Sequence, residues 1–300
     1  IDIPVFSPDS RHIAYSAKKG SKCSVVLDGK QMKEYEGIGT IVLSPDSKRV
    51  AYTAVVANKW FAVLDKKPEN EYDGMVSGTP VFSPDSKHMA YIAYSSRDGG
   101  KWPLVVDGKE MGQYDDIGTV VFRPDSKSIA YPARVGNRWH MITDGEMGHN
   151  YDGIDIPIFS PDSKHIAYSA KIFNKWLVVM DEKVGEQYDG IVAGTTVFSP
   201  DSNHLVYCAQ LGNKWFTIMD EERSGPHDGI LIAPIFSSDS RHLVYGVQEG
   251  KKQFVVMDGK KGKQYDSIVG GRIVFDSPSS YHYIARDHDK GLLVEESIRG

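Results

Sequence analysis

Residues 154–171 read IDIPIFSPDSKHIAYSAK, and residues 1–18 read IDIPVFSPDSRHIAYSAK. Only Val5 against Ile158 and Arg11 against Lys164 differ between them. The phrase recurs. Variants start at Val5, Val42, Val81, Val121, Ile158, Val197 and Ile235, and an altered copy, IVFDSPSSYHYIARD, starts at Ile273. The aspartate of the Ser-Pro-Asp-Ser turn returns at Asp9, Asp46, Asp85, Asp125, Asp162, Asp201 and Asp239, in steps of 37 to 40 residues. A fixed period of about 40 residues belongs either to β-propellers or to helical solenoids.

The content of each unit decides between them. Each of the first seven units holds four short segments: a (PVFS), b (HIAYSA), c (KWLVVMD) and d (GEQYDG). They are rich in Val, Ile, Phe, Tyr and Trp, and turn residues separate them, which reads as strands and hairpins. No helix of useful length fits between these breakers. Segment b lacks a clean polar alternation because a sheet packed between two others buries both faces. The reading is all-β: a β-propeller of eight blades, each a four-stranded antiparallel sheet. Its repeats span about 4–37, 41–74, 80–116, 120–153, 157–190, 196–229, 234–267 and 272–296 of one domain over residues 1–300. The eighth unit holds segments a, b and c alone, so 31 strands are expected. The last blade is then three-stranded, or is closed by a strand from upstream of Ile1. Closing the ring would remove exposed sheet edges. Units 1 and 5 match best, which suggests duplication of a four-unit block.

The run FSPDSKHIAY resembles the WD40-like repeat of TolB-type propellers, over roughly residues 4–296. The chain departs from that pattern in carrying Ser where the family usually has Gly after Asp. The resemblance implies a binding propeller without catalysis of its own, often periplasmic. The same repeat also occurs in propellers that gate serine peptidases. Repeat type specifies fold far better than function.

Composition narrows the function. The chain is 40% apolar and 25% charged with net charge −5. Its lysines are scattered over turns rather than gathered in a stripe, which argues against nucleic acid as a partner. No apolar run approaches the roughly 18 residues of a membrane helix. The first residues show no basic segment leading an apolar run, so no signal peptide is read in this chain. Two cysteines, Cys23 and Cys208, make no disulfide framework. Nucleophile-elbow, HExxH, P-loop and GxGxxG patterns are all missing, so no catalytic residue and no cofactor is assigned.

Most repeated residues read as scaffold. Pro and Asp suit the turn. His12, His88, His165, His204, His242 and His282 open segment b, with Arg49 and Ser128 in two other units. Spread one per blade, they cannot gather on one metal ion and are expected to bond to the turn. Trp60, Trp102, Trp139, Trp176 and Trp215 suit burial between blades.

Recognition of one partner has to break the repeat, so the loops that vary are the candidates. The d–a loops are expected to ring a polar channel mouth bearing Asp2, Thr40, Thr79, Thr119, Asp155, Thr195 and Arg272. Arg272, the one cation there, could clamp a carboxylate or phosphate. The b–c hairpin tips carry apolar residues where polar ones are expected. Val56, Tyr94, Arg97, Ile172, Phe173 and Leu211 are the candidate partner surface. Asp287 and Asp289 form a weak calcium pattern that a plain hairpin also explains, and no metal site is assigned. The resulting expectation is a monomeric, non-catalytic module that binds a protein or peptide through this face, without membrane insertion. The alternatives are a small-ligand or ion site at the channel mouth and an accessory or sensor domain of a larger assembly. The TolB resemblance leans the location towards the periplasm, with the cytoplasm open.

Overall fold

The computed structural model describes residues 3–97 and 99–298. Its elements are strands, in eight consecutive antiparallel sheets. The chain groups into two compact units, Ile1–Asn150 and Tyr151–Gly300. Each unit carries four sheets, and the division falls beside the duplicated phrase. In blade 1 the strands are Val5–Phe6, Ile13–Lys19, Lys22–Leu27 and Lys30–Tyr35, each paired with the next. Blade 8 has three, Ser267–Ser277, Ser280–Asp287 and Lys290–Ser297.

The described residues hold 35 strands. The excess over the sequence count comes from blades 3 to 6, whose first strand is broken in two. In blade 6 the pieces are Gly190–Ile191 and Val197–Phe198. Between them Gly194 turns at φ 75°, and the Thr195 hydroxyl donates to the Val192 carbonyl at 2.7 Å. Blade 3 does the same with Gly78 at φ 86° and Thr79 on Val76 at 2.8 Å. The loop satisfies its own backbone and leaves the ladder.

The repeated phrase is a hydrogen-bond circuit. In blade 2 the Ser44 hydroxyl donates to Asp46 at 2.6 Å and accepts from the Arg49 amide at 2.9 Å. The same Asp46 oxygen accepts from the Lys48 amide at 3.1 Å. These bonds, the serine's first, hold the Asp46 carboxyl below its ordinary pKa. The second serine of the phrase does something else. It sits in the left-handed region, φ 59° to 66° in blades 1 to 7. From there its hydroxyl accepts the aspartate amide of the preceding blade. Ser86 takes Asp46 and Ser126 takes Asp85, both at 2.9 Å. Ser47 takes Asp9 at 3.2 Å, and in the second unit Ser202 takes Asp162 and Ser240 takes Asp201 at 2.9 Å. This accounts for the departure from Gly: the serine accepts an unfavourable φ and links two sheets.

The histidines belong to the same end of each blade. The His12 ring nitrogen lies 2.7 Å from Asp28, the aspartate of the turn between third and fourth strands. His88, His165, His204 and His242 repeat this with Asp107, Asp181, Asp220 and Asp258. Arg49 and Ser128 substitute for them on Asp65 and Asp144. The partner is therefore the turn between the third and fourth strands, not the Ser-Pro-Asp-Ser turn. His282 is an exception. It lies one place before Tyr283 in the strand and bonds Asp276 at 2.8 Å, outside the repeated role.

Tyrosines fill the spaces between sheets. In six blades a tyrosine in or just after the fourth strand meets, edge to face, a second-strand tyrosine of the next blade, and in blade 6 His227 takes that place against Tyr245. Tyr35 on Tyr52, Tyr72 on Tyr91 and Tyr114 on Tyr131 do so in the first unit, with centroids 5.8 to 6.1 Å apart. Tyr151 on Tyr168, Tyr188 on Tyr207 and Tyr265 on Tyr283 do so in the second, at 6.1 to 6.2 Å. Such pairs add about 0.5–1.5 kcal/mol each beyond their burial.

The serine link is open to test at Ser86. Ser86→Ala keeps the left-handed strain and removes the bond, and should cost about 1–2 kcal/mol. Ser86→Gly removes both, and should lie within about 0.5 kcal/mol of the natural chain. Urea denaturation of the three chains reads the difference.

Candidate functional site

The turns just described repeat from blade to blade. The opposite end of each blade carries the tips between second and third strands and the loops entering the first strand. Here an acidic residue at the end of blades 1 to 7 fixes the next blade's tip. Asp73 accepts from Lys59 of its own blade and from the Ser96 amide of the next, at 2.8 Å. Asp115 serves Lys101 and Gly136, Asp189 serves Lys175 and Gly212, and Asp228 serves Lys214 and Gly250. The lysine ammonium is the chief reason these carboxyls titrate below the ordinary aspartate range. The tips are thus held in place, whatever side chains they display.

Blade 5 displays the least expected one. Asp152 accepts the amide of Phe173. Phe173 has φ 54° and is 78% exposed. Glycine occupies the corresponding tip position in blades 1, 4, 6 and 7, as Gly20, Gly136, Gly212 and Gly250, all with positive φ, and blades 2 and 8 place Ala57 and His288 there at φ 49° and 53°. A phenylalanine there incurs both left-handed strain and the exposure of a large apolar ring. On the neighbouring tip Leu211 is exposed, while Ile172 is half-buried.

The other tip candidates divide. Val56 and Arg97 are exposed. Tyr94 is half-buried with its ring 4.9 Å from that of Trp102, so it packs within its own hairpin instead of projecting.

The loop candidates divide more sharply. Thr79 and Thr195 are buried, and Thr195 also accepts the Cys208 amide at 3.0 Å, so both build the loop. Thr40 accepts the Gly78 amide at 3.1 Å. Thr119 and Arg272 are exposed. Asp2 lies outside the described residues. Of the calcium pair, Asp289 stands apart. Asp287 instead groups with Asp266 and His288 within 4.8 Å, a group the sequence reading did not assemble. The Lys252 ammonium, 2.8 Å from Asp266, already supplies the cation there, and the group is far short of calcium's six to eight oxygens. Cys208 is buried, and burial pushes its thiol up to about 12, which leaves it unreactive.

Asp155 is placed differently. It follows the strand piece Gly153–Ile154 of blade 5, and its amide donates to the Ser169 carbonyl at 2.9 Å. The residue in that register is Val76 in blade 3, Gly118 in blade 4 and Val192 in blade 6, whose amides bond the second strand alike. An acid thus stands where neighbouring blades have valine or glycine. It lines a cavity of about 300 Å³ together with Ile156, Ile158, Ser169, Ala193, Gly194 and Thr196. The entering loop is three residues in blade 5, 155–157, against five in blade 6, 192–196. The cavity opens at this step. Ser169 is buried, with its hydroxyl 3.5 Å from that of Thr196. Asp155 is half-buried, and burial alone raises its carboxyl above the ordinary aspartate value. Sequence reading singled out Asp155 but missed Ser169 and Thr196. Aligning the eight loops by register would have shown the acid at a valine position.

No family model matches the chain, and no curated protein matches it in sequence. Solved structures do. One described as the eukaryotic initiation factor is 10% identical, with a TM-score of 0.53 over 99% of this chain and 88% of that one. A Bacteroides ovatus protein named for dipeptidyl aminopeptidase IV is 12% identical, with a TM-score of 0.50 over 91% of this chain and 55% of that one. At such identities the likeness concerns fold alone. The chain is a β-propeller protein. TolB from Acinetobacter baumannii is also among the neighbours, at 12% identity over 84% of this chain and 79% of that one. Its TM-score of 0.36 is too low to bear on the repeat type.

Asp155 makes a pH-dependent prediction. A carboxyl whose pKa is raised by folding is ionised at a cost to stability. That cost is absent below the ordinary aspartate pKa and complete once pH exceeds the raised value, so this contribution falls as pH rises. Asp155→Asn should therefore melt higher than the natural chain at about pH 7, and the two should converge towards about pH 3.5. Melting curves across that range check it.

Proposed function

We propose that this β-propeller is a non-catalytic binding module that holds a protein or peptide against the end of the blades bearing the second-to-third-strand tips and the loops entering the first strands. The observation that carries the reading is Phe173. A large apolar ring that is 78% exposed at φ 54°, in a position four other blades give to glycine, is unfavourable for the free chain twice over. Local strain and apolar exposure kept together point to use in recognition. Leu211 on the next tip extends the apolar surface. The capping carboxylates keep these tips preorganised, which lowers the ordering cost of binding. The TolB-type reading of the repeats points to the same class of function and carries the lean towards the cell envelope.

Phe173→Gly separates recognition from folding. The variant should be about 0.5–1 kcal/mol more stable, because glycine accepts the left-handed φ and no buried contact is lost. In affinity capture from source-cell extract, a protein retained by the natural chain should be lost by this variant. Identical retained proteins on both chains would contradict the assignment of the surface.

A further inference from the structure

The cavity beside Asp155 has a chemistry of its own. It presents three acceptors, the Asp155 carboxylate and the hydroxyls of Ser169 and Thr196, against apolar walls from Ile156, Ile158 and Ala193. None of the described side chains donates to the carboxylate. The Asp155 amide bond to the Ser169 carbonyl fixes the two residues opposite each other, and the Ser169 hydroxyl reaches towards Thr196 across the step between blades 5 and 6. An anion finds no cation here. A bare divalent ion would need about six or more oxygens, and the lining does not supply them. A primary ammonium has three N–H donors and no acceptor, which matches three acceptors around one space. An aliphatic stem would lie along the isoleucines while its charged head reached the acid. The volume, about 300 Å³, is about ten times the ~30 Å³ share of one liquid water, so a four-carbon stem fits.

We infer that the cavity lined by Asp155, Ser169 and Thr196 is a receptor for a primary ammonium on an aliphatic chain, the side chain of a lysine in a bound peptide. The inference rests on the peptide-binding reading above and names what one pocket of that surface recognises. The cavity lies at the same end of blade 5 as the Phe173 tip, so one extended peptide can address both. Asp155 supplies the charge, the hydroxyls supply direction, and Ile156, which is exposed, flanks the stem.

The test uses the full chain and small probes, so it does not depend on finding the natural partner. Nα-acetyl-lysine-N-methylamide is titrated into labelled protein and followed by the backbone amide signals of Ala193 and Gly194. Saturable shifts with a Kd of about 1 mM are expected for so small a ligand. The norleucine analogue, which has the stem without the ammonium, should leave these signals in place. Asp155→Asn should weaken lysine binding about tenfold or more, in line with a hydrogen bond to a charged group. Its melting curve shows independently that it is folded. Equal binding of norleucine, equal binding by Asp155→Asn, or shifts produced by calcium chloride and not by the lysine probe would each overturn the proposal. Loss of extract capture by Phe173→Gly is read separately, so failure of this pocket and failure of the wider surface are distinct results.

Discussion

One hydrogen bond underlies the rest of the structure: an aspartate amide in one blade donating to a serine hydroxyl in the next. It recurs at Asp9–Ser47, Asp46–Ser86 and Asp85–Ser126 in the first unit, and at Asp162–Ser202 and Asp201–Ser240 in the second. A blade is a small sheet that cannot bury its apolar faces alone, so its stability depends on its neighbours. Tyrosine pairs supply the burial, but an edge-to-face contact tolerates sliding. The serine bond is directional and sets the spacing at one end of the blades. Carboxylates such as Asp73 and Asp228 set it at the other, by capping the tip of the next blade.

This division lets the two ends diverge. Where the circuit is closed, the Ser, Asp and His positions are held by specific bonds, and the phrase repeats. At the tips only a backbone amide is held, so the side chain is free to change. Phe173 at a tip and Asp155 in an entering loop are two places in the second unit where the sequence runs against local stability. One puts an aromatic ring at positive φ in water, and the other half-buries an acid to which none of the described side chains donates. Consistency across levels is the rule in foldable sequences, and departures concentrate where function intrudes.

The sequence made the eight units legible because each turn has its own residues and the period never drifts far. The last blade's lack of a fourth segment was legible for the same reason. The breaks in the first strands were not. Thr79 and Thr195 read as exposed polar groups, and only in the folded chain do their hydroxyls turn back onto their own loops. Serine in place of glycine was visible as a departure, but its meaning lies in another blade some forty positions away. His282 was misaligned because the altered eighth phrase shifts the histidine next to the tyrosine. Among the candidate site residues, the tips were legible from apolar residues in turns. The cavity was not, because it arises from the unequal lengths of two loops that meet only in space.

Native-state amide hydrogen exchange tests the central claim most directly. The amides of Asp46, Asp85, Asp162 and Asp201 belong to solvent-facing turns and would exchange rapidly if those turns were independent. The account predicts protection comparable to that of the adjoining strands, since opening these bonds requires separating two blades. Exchange at the rate of an open turn would show that the serine links do not hold the blades together.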